Sequence, residues 1–535
     1  MSSVIIIGGG HNGLTAAFYL GRAGFKPIVL ERRDSVGGGA ITGELHPGFK
    51  CPTLSHHAAI WSGIAADMRL EQRGVSYLRP PVEVYAASAD GAPAVVYADN
   101  VRAGDGLRSA SVKDAEAYPR YRAALTGICG VLASILTSPP PDIDRPDARD
   151  LWNLLVSGRR FRGLGGRDAY RLLRWLPMPV ADLAGEWFES DLLRAALCGP
   201  GVSGTMLGPR SAGSALVLLL RETHRLLAGS ASRVRGGPGA LTGAMAAAAR
   251  EAGADIRTGT RVEQILVEHD RVSGVIAGGG RIPASAVISA VDPKTTVLDL
   301  IDPVHLSPDF LSSMRNYRAA GTVAKVNLAL SALPAFGGSG PAKAGHYGRV
   351  DASTAELLSG RIHIGPGIDY LERAFDRAKY GELSEDPWLD IAIPSILDPG
   401  LAPPGAHVMS VCAHYAPFAL RGAGWPALEP VLLERVLRTL ERFAPGIRRL
   451  VVAAQAITPA ALAADYGFHG GHIFHGELAL DQLLMMRPVL GFGRYQTPLP
   501  GLHLCSAGTH PGGLMSGASG KMAAAHVTRA LKGQR

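Results

Sequence analysis

The chain begins with a short run of apolar, mostly β-branched residues, Val4-Ile5-Ile6-Ile7, closed by Gly8. Unbroken hydrophobicity over so few positions predicts a strand buried on both faces of a parallel sheet. Residues 14–22 (LTAAFYLGR) carry helical spacing, and Gly24 stands where a helix C-terminus takes a left-handed residue. Residues 26–30 (KPIVL) predict a second strand, ended by Glu31. The pattern returns in mid-chain. Val234-Arg235-Gly236-Gly237-Pro238-Gly239 leads into a helical stretch (ALTGAMAAAAREAG), and strands are predicted over IRTGTRVEQILVE, RVSGVIA and RIPASAVISAV. Gly278-Gly279-Gly280 lies between two of these and predicts a hairpin turn. Near the C-terminus an apolar strand from Leu502 ends at Gly508, and a helix is predicted from about Ser516 to Leu531.

The first turn carries chemistry. Gly8, Gly10 and Gly13 satisfy G-x-G-x-x-G between a strand and a helix. The first glycine allows a tight turn, the second lets the backbone approach a pyrophosphate, and the third lets the helix pack on the strand. The helix N-terminus offers free N–H groups and a positive dipole end to phosphates. Glu31 follows Gly13 by 18 residues, the place for a carboxylate that grips a ribose hydroxyl. An acid there disfavours a 2′-phosphate and hence NADP; NAD and FAD both stay open at this point.

Composition narrows the class. A hydrophobic content of 47% with 19% charged residues excludes global disorder. Glycine is 67 of 535 residues, but it clusters in short runs, which excludes collagen. The net charge of +8 is diffuse and no recognition module accompanies it, so no nucleic-acid partner is predicted. Cys51, Cys129, Cys198, Cys412 and Cys505 form no C-x-x-C pair, so neither a dithiol centre nor a zinc knuckle can be written. That usage fits a reducing compartment, and a cytoplasmic location is expected. No signal peptide and no transmembrane run is read.

Residues 151–180 interleave Trp152, Leu154, Leu155, Phe161, Tyr170 and Trp175 with a series of arginines. Such a segment is either a helical cap with a solvated face or a peripheral membrane contact. His469, His472 and His475 recur every three residues, but Gly470 and Gly471 interrupt any helix and no acid or cysteine completes a set, so no metal is expected. His56 and His57 are further candidates for the active cavity.

A second glycine patch, Gly37-Gly38-Gly39 with Thr42, resembles the G-G-R-x-x-S/T element of glutathione-reductase-type flavoproteins, with Gly39 where the arginine stands. Together with the mid-chain unit and the segment from Cys505 to Gly513, it resembles the phytoene desaturase and flavin amine oxidase superfamily. A narrower resemblance, to the pyridine nucleotide-disulfide oxidoreductase domain-containing 2-like group, rests on Phe49-Lys50 to Ile60, Pro394 to Pro399, Ile473 to Glu477, Met486-Arg487-Pro488 and Cys505 to Gly513.

The resemblance implies FAD. It implies cofactor contacts at Gly37, Gly38, Thr42, the main chain at Val262, Gly508, Thr509 and Gly513, with Arg32 or Arg33 replacing the missing arginine. It implies roles near the flavin for Lys325, whose counterpart holds a water, and for His475 and His510.

The expected fold is α/β: a discontinuous Rossmann-type FAD-binding domain (1–80, 226–300 and 481–535) with an inserted α+β substrate domain (81–225 and 301–480). The expected function is hydride transfer between FAD and a C–C or C–N bond of a small, hydrophobic substrate. The alternatives are oxidation of a small amine, or a non-redox binding or escort role on the same fold.

Overall fold

The structure, a computed structural model, describes residues 3–229, 233–337 and 352–533. Val4–Ile7 is the central strand of a five-stranded parallel sheet. The order is Leu502–Leu504, Ala286–Ser289, Val4–Ile7, Pro27–Leu30, Asp255–Arg257. All four residues of the central strand are buried, as the unbroken apolar run requires. Val4 and Ile6 face the helices His11–Arg22, Gly237–Glu251 and Ala518–Lys532. Ile5 and Ile7 face the opposite layer, a three-stranded antiparallel sheet of Val262–Glu268, Arg271–Ala277 and Gly280–Pro283. The strand, helix and strand from three distant stretches of chain thus meet as one α/β unit of Rossmann type.

The second body is built on a seven-stranded mixed sheet. Its order is Val451–Ile457, Val323–Leu330, His407–His414, Leu389–Ala392, Arg361–Ile364, Val82–Ala86, Ala94–Tyr97. Ala324, Val326, Ile391, Met409 and Val411 share a core with the helix Trp425–Phe443. The alternate residues of the same strands face the other way, and they make the site described below.

Two details differ from the sequence expectations. IRTGTRVEQILVE is two strands, Asp255–Arg257 and Val262–Glu268, in different sheets. The break is Gly259, at φ +63°, where Gly259 N and Thr260 N donate to the carbonyls of Arg33 and Glu31. RIPASAVISAV likewise divides into Gly280–Pro283 and Ala286–Ser289. The 151–180 segment is two helices, Ala148–Gly163 and Gly165–Trp175, parted at Gly165 (φ +75°). Leu151, Trp152, Leu154, Leu155, Tyr170 and Leu173 are exposed on them. Among the described residues no helix is long and apolar enough to cross a membrane.

Candidate functional site

The fingerprint turn is built by steric necessity. Gly8 sits at φ +97°, and a Cβ at Gly13 would stand 2.1 Å from the Gly8 carbonyl oxygen, so that position can carry no side chain. At Gly10 the nearest atom to an added Cβ is 3.8 Å away, which leaves the backbone open to close approach. Glu31 is buried, and its carboxylate accepts from Gly9 N (2.7 Å) and Arg33 N (3.0 Å). The acid therefore holds the turn itself and keeps further acceptor capacity for a hydroxyl. Gly37 N donates to Gly9 O at 2.9 Å, tying the second glycine patch to the first.

From this turn a cavity of about 770 Å³ runs to the polar face of the seven-stranded sheet. Glu31, Arg32, Arg33, Arg261 and Val262 border its outer end. Gly8, Gly10, His11, Asn12 and Gly38 border its middle. His475, Phe474, Leu514, Met515, His56 and Lys325 border it farther in. A trough of this size and length suits an extended dinucleotide with space beyond it. The residues present fit FAD: His11 Nε2, Asn12 Oδ1 and His475 Nδ1 are buried atoms without hydrogen-bond partners, and all three residues border the cavity. His475 sits at φ +55°, and burial pushes its ring below the ordinary histidine range.

Of the residues singled out from sequence, Gly8, Gly10, Glu31, Arg32, Gly38, Val262, Lys325 and His475 border this one cavity. Gly13, Gly37, Thr42, Gly508, Thr509, Gly513 and His510 stand behind its wall. Thr42 Oγ1 bridges Gly236 O and Gly239 N, both at 3.0 Å. Thr509 Oγ1 donates to Ser506 O within its own turn (2.9 Å). Gly508 packs so tightly that a Cβ would lie 2.4 Å from Pro293 Cδ. The His510 ring is fully buried toward the Leu136 and Ser138 main chain, and burial lowers its pKa to about 4. Arg32 donates to Asp465 O at 2.8 Å. His472 Nδ1 accepts from Phe474 N and Gly476 N, a turn-stabilising use of the ring. Among the described residues no group of side chains is arranged to hold a metal.

The inner end is a polar row of which sequence reading found Lys325 on the strands and His56 and His57 beside them. Across four neighbouring strands His363 pairs with Asp390, Asp390 with Cys412, and Cys412 with Lys325 in register. Lys325 Nζ donates to Ser410 Oγ and to His56 Nδ1 (3.2 Å), and Cys412 Sγ lies at 3.8 Å. All three ammonium protons thus meet neutral acceptors. His56 receives that bond, and burial together with Lys325 keeps its ring neutral, well below the ordinary pKa. Burial alone would raise the Asp390 carboxyl, but Arg361 at 2.8 Å outweighs it and holds the group well below the usual range. Trp388 stacks on His414 (3.8 Å between centroids) and donates from Nε1 to His363 Nδ1.

Ser410, Cys412 and His414 were legible in principle, since VMSVCAH alternates polar residues on one face. Asp390 was legible as a lone acid in the apolar run WLDIAI. Arg221, on the helix Ser214–Leu227, borders the cavity opposite and carries no sequence signal of its own.

The fold and site define a dinucleotide-binding protein whose cofactor trough continues to a polar sheet face. The chain matches the family model for flavin containing amine oxidoreductase over residues 196–528, and that for NAD(P)-binding Rossmann-like domain over residues 6–71. It is 33% identical to pyridine nucleotide-disulfide oxidoreductase domain-containing protein 2 of Rattus norvegicus, over 99% of this chain and 93% of that one. It is 26% identical to the phytoene desaturase (lycopene-forming) of Pseudescherichia vulneris, over 99% of each. A solved structure of a putrescine oxidase variant redesigned in cofactor binding superposes with TM-score 0.62 at 16% identity, over 100% of this chain and 99% of that one. The chain belongs to the flavin-containing amine oxidoreductase family. It is a flavin-dependent oxidoreductase, and its cofactor is FAD.

Proposed function

We propose that the protein is a desaturase-like dehydrogenase that oxidises a carbon–carbon bond of a small, largely apolar substrate. In this reading residues 1–80, 226–300 and 481–535 hold the cofactor, and residues 81–225 and 301–480 enclose the substrate. The observation that carries it is the character of the inner cavity. Val323, Phe418, Phe474 and Leu514 give it an apolar wall, while Lys325 and Arg221 place two cations there without a carboxylate partner of their own among the described residues. Those cations repel the ammonium group that an amine oxidase must admit.

Bound FAD supplies a two-electron acceptor for hydride. The residues for holding it are the Gly8–Gly13 turn, Glu31, Arg32, Arg33, Val262, His11, Asn12 and His475. The protein's own work is placement and electrostatics. The apolar wall excludes water from the substrate carbon. Lys325, fixed by three acceptors, keeps a positive charge on the cavity wall. His56 Nδ1 is kept unprotonated as the acceptor of that lysine. Part of the same proposal is a peripheral contact with an anionic lipid surface, through exposed Trp152, Leu154 and Leu155 and the basic run Arg159, Arg160 and Arg162.

The test is anaerobic reduction of the purified protein by a polyene panel and by an amine panel. Bleaching of the flavin's visible band by polyenes alone supports the reading, and bleaching by amines alone overturns it.

A further inference from the structure

We propose that Arg221 is the substrate-recognising residue of the inner cavity, and that the substrate carries a carboxylate on its apolar body, bound by that guanidinium. This rests on the function proposed above and names the class of substrate within it.

Other deep-set arginines of the protein hold close carboxylate or carbonyl partners, with Arg487 Nε alone of its nitrogens unpaired. Arg361 pairs with Asp390 at 2.8 Å. Arg233 donates to the carbonyls of Ser359 (2.5 Å) and Gly360 (2.8 Å). Arg487, wholly buried, donates to the carbonyls of Phe474, Gly476, Glu477, Gln482 and Ala507. Arg221 differs. Its Nη1 makes one long contact, 3.4 Å to Ser203 O, and its guanidinium lies 5.6 Å over the Phe474 ring. A guanidinium has five N–H donors, so most of its capacity is unspent. The acid beside it in sequence, Glu222, is turned away and engaged by Arg122 (3.2 Å) and Arg225 (2.8 Å). Asp390, which also borders the cavity, is already committed to Arg361.

The charge around this end is accordingly unbalanced. Arg221, Arg233, Arg361 and Lys325 act on the His56–His57 region, against the one acid Asp390. Burial pushes the Arg221 pKa down to about 10, which leaves the group charged at neutral pH. A charged fork with open donors in a low-dielectric recess is costly unless a ligand completes it. A carboxylate matches the fork in charge and in its two-oxygen geometry. The Phe474 face orients the fork, and the apolar wall takes the rest of the molecule. The ligand class is therefore an amphipathic carboxylic acid.

The experiment titrates decanoate, decanol and decylammonium into the full-length protein by calorimetry, so that the flavin is not the reporter. Decanoate is expected to bind at least about tenfold more tightly than decanol, the scale of a hydrogen bond to a charged group. Arg221→Gln is expected to remove that preference and leave decanol binding unchanged, and Arg221→Lys to keep part of it. FAD content and the thermal midpoint, read alongside, report whether each variant is folded. Equal binding of decanoate and decanol to the unaltered protein, no binding of either, or a decanoate preference that survives Arg221→Gln each overturns the assignment. Where Arg221→Gln does not fold, Arg221→Lys carries the assignment, and the absence of a decanoate preference in the unaltered protein still overturns it. The reading above fails separately: reduction by amines alone contradicts the dehydrogenase, whatever decanoate does.

Discussion

The carbonyl oxygen of Asn12 lies 2.1 Å from where a Cβ on Gly520 would stand. Asn12 belongs to the first turn of the fingerprint helix, and Gly520 to the last helix of the chain, 508 residues later. The two helices touch backbone to backbone, and the strand before the last helix joins the first sheet at its edge. The ends of the chain thus form one wall of the cofactor trough. Gly520→Val is expected to lower stability by about 1–3 kcal/mol, the usual cost of overpacking. FAD retention should fall with it. Thermal midpoint and flavin content of the purified variant check both.

Glu31 holds the turn at Gly9 N and faces the outer end of the trough. Glu31→Ala is expected to weaken FAD binding by about 1–3 kcal/mol, the value of a hydrogen bond to a charged group. Equilibrium FAD affinity of the apoprotein measures it, and an unchanged value removes Glu31 from the site.

How much of this was legible in the sequence depends on how local the signal is. The strand–Gly8–Gly10–Gly13–helix unit and its Glu31 are contiguous, and each piece is required by sterics or charge, so they read directly. The hairpin turn at Gly278-Gly279 read for the same reason: both residues sit at positive φ (58° and 73°). The break at Gly259 did not read, because IRTGT and RVEQILVE are each good strands, and only the pairing of Gly259 and Thr260 with Arg33 and Glu31 separates them. The inner site was half visible. Lys325 stands out as a charge in TVAKVNLAL, but its partners come from two other stretches of chain: sheet register brings Ser410 and Cys412, and the loop after Phe49–Pro52 brings His56. Arg221 is one arginine among many until the structure shows which of them lacks a partner.

Lys325→Met removes a buried charge whose three protons are held by neutral groups. FAD is expected to stay bound, since Lys325 lies at the inner end of the cavity, away from the fingerprint turn. Reduction or reoxidation of the flavin is expected to slow by at least about tenfold, the low end of what a fixed charge in a water-excluded site contributes. Stopped-flow measurement of photoreduced protein mixed with oxygen, and of the polyene half-reaction, tests it; unaltered rates in both leave Lys325 a structural residue.

Acid should destabilise the fold earlier than carboxylate titration alone explains. His224, His472 and His503 are buried, and burial lowers each to about 3; His510 is lowered to about 4 by the same cause. In the unfolded chain these rings titrate near 6.5. Between pH 6.5 and about 4 the unfolded chain therefore binds more protons than the folded one, so stability falls as pH falls through that window. The expected result is a thermal midpoint that holds above pH 7 and declines steadily from pH 6.5 to pH 5. A midpoint flat across that range contradicts it.

The exposed side chains of Trp152 and Leu155 stand 63% accessible on a helix whose C-terminal half is basic. Co-sedimentation with anionic vesicles is expected, with little on neutral ones. Trp152→Ser with Leu155→Ser should lower the bound fraction several-fold without moving the thermal midpoint, because neither side chain is part of the core. Equal binding of the double variant would locate the contact elsewhere.

The most direct measurement is competitive loading of the apoprotein with equimolar FAD and NAD⁺, followed by release and quantification of what is bound. The account predicts one FAD per chain and no retained NAD⁺, with FAD lost when Gly13→Val fills the space at the Gly8 carbonyl. Retained NAD⁺ in place of FAD, or full FAD occupancy in Gly13→Val, would contradict it.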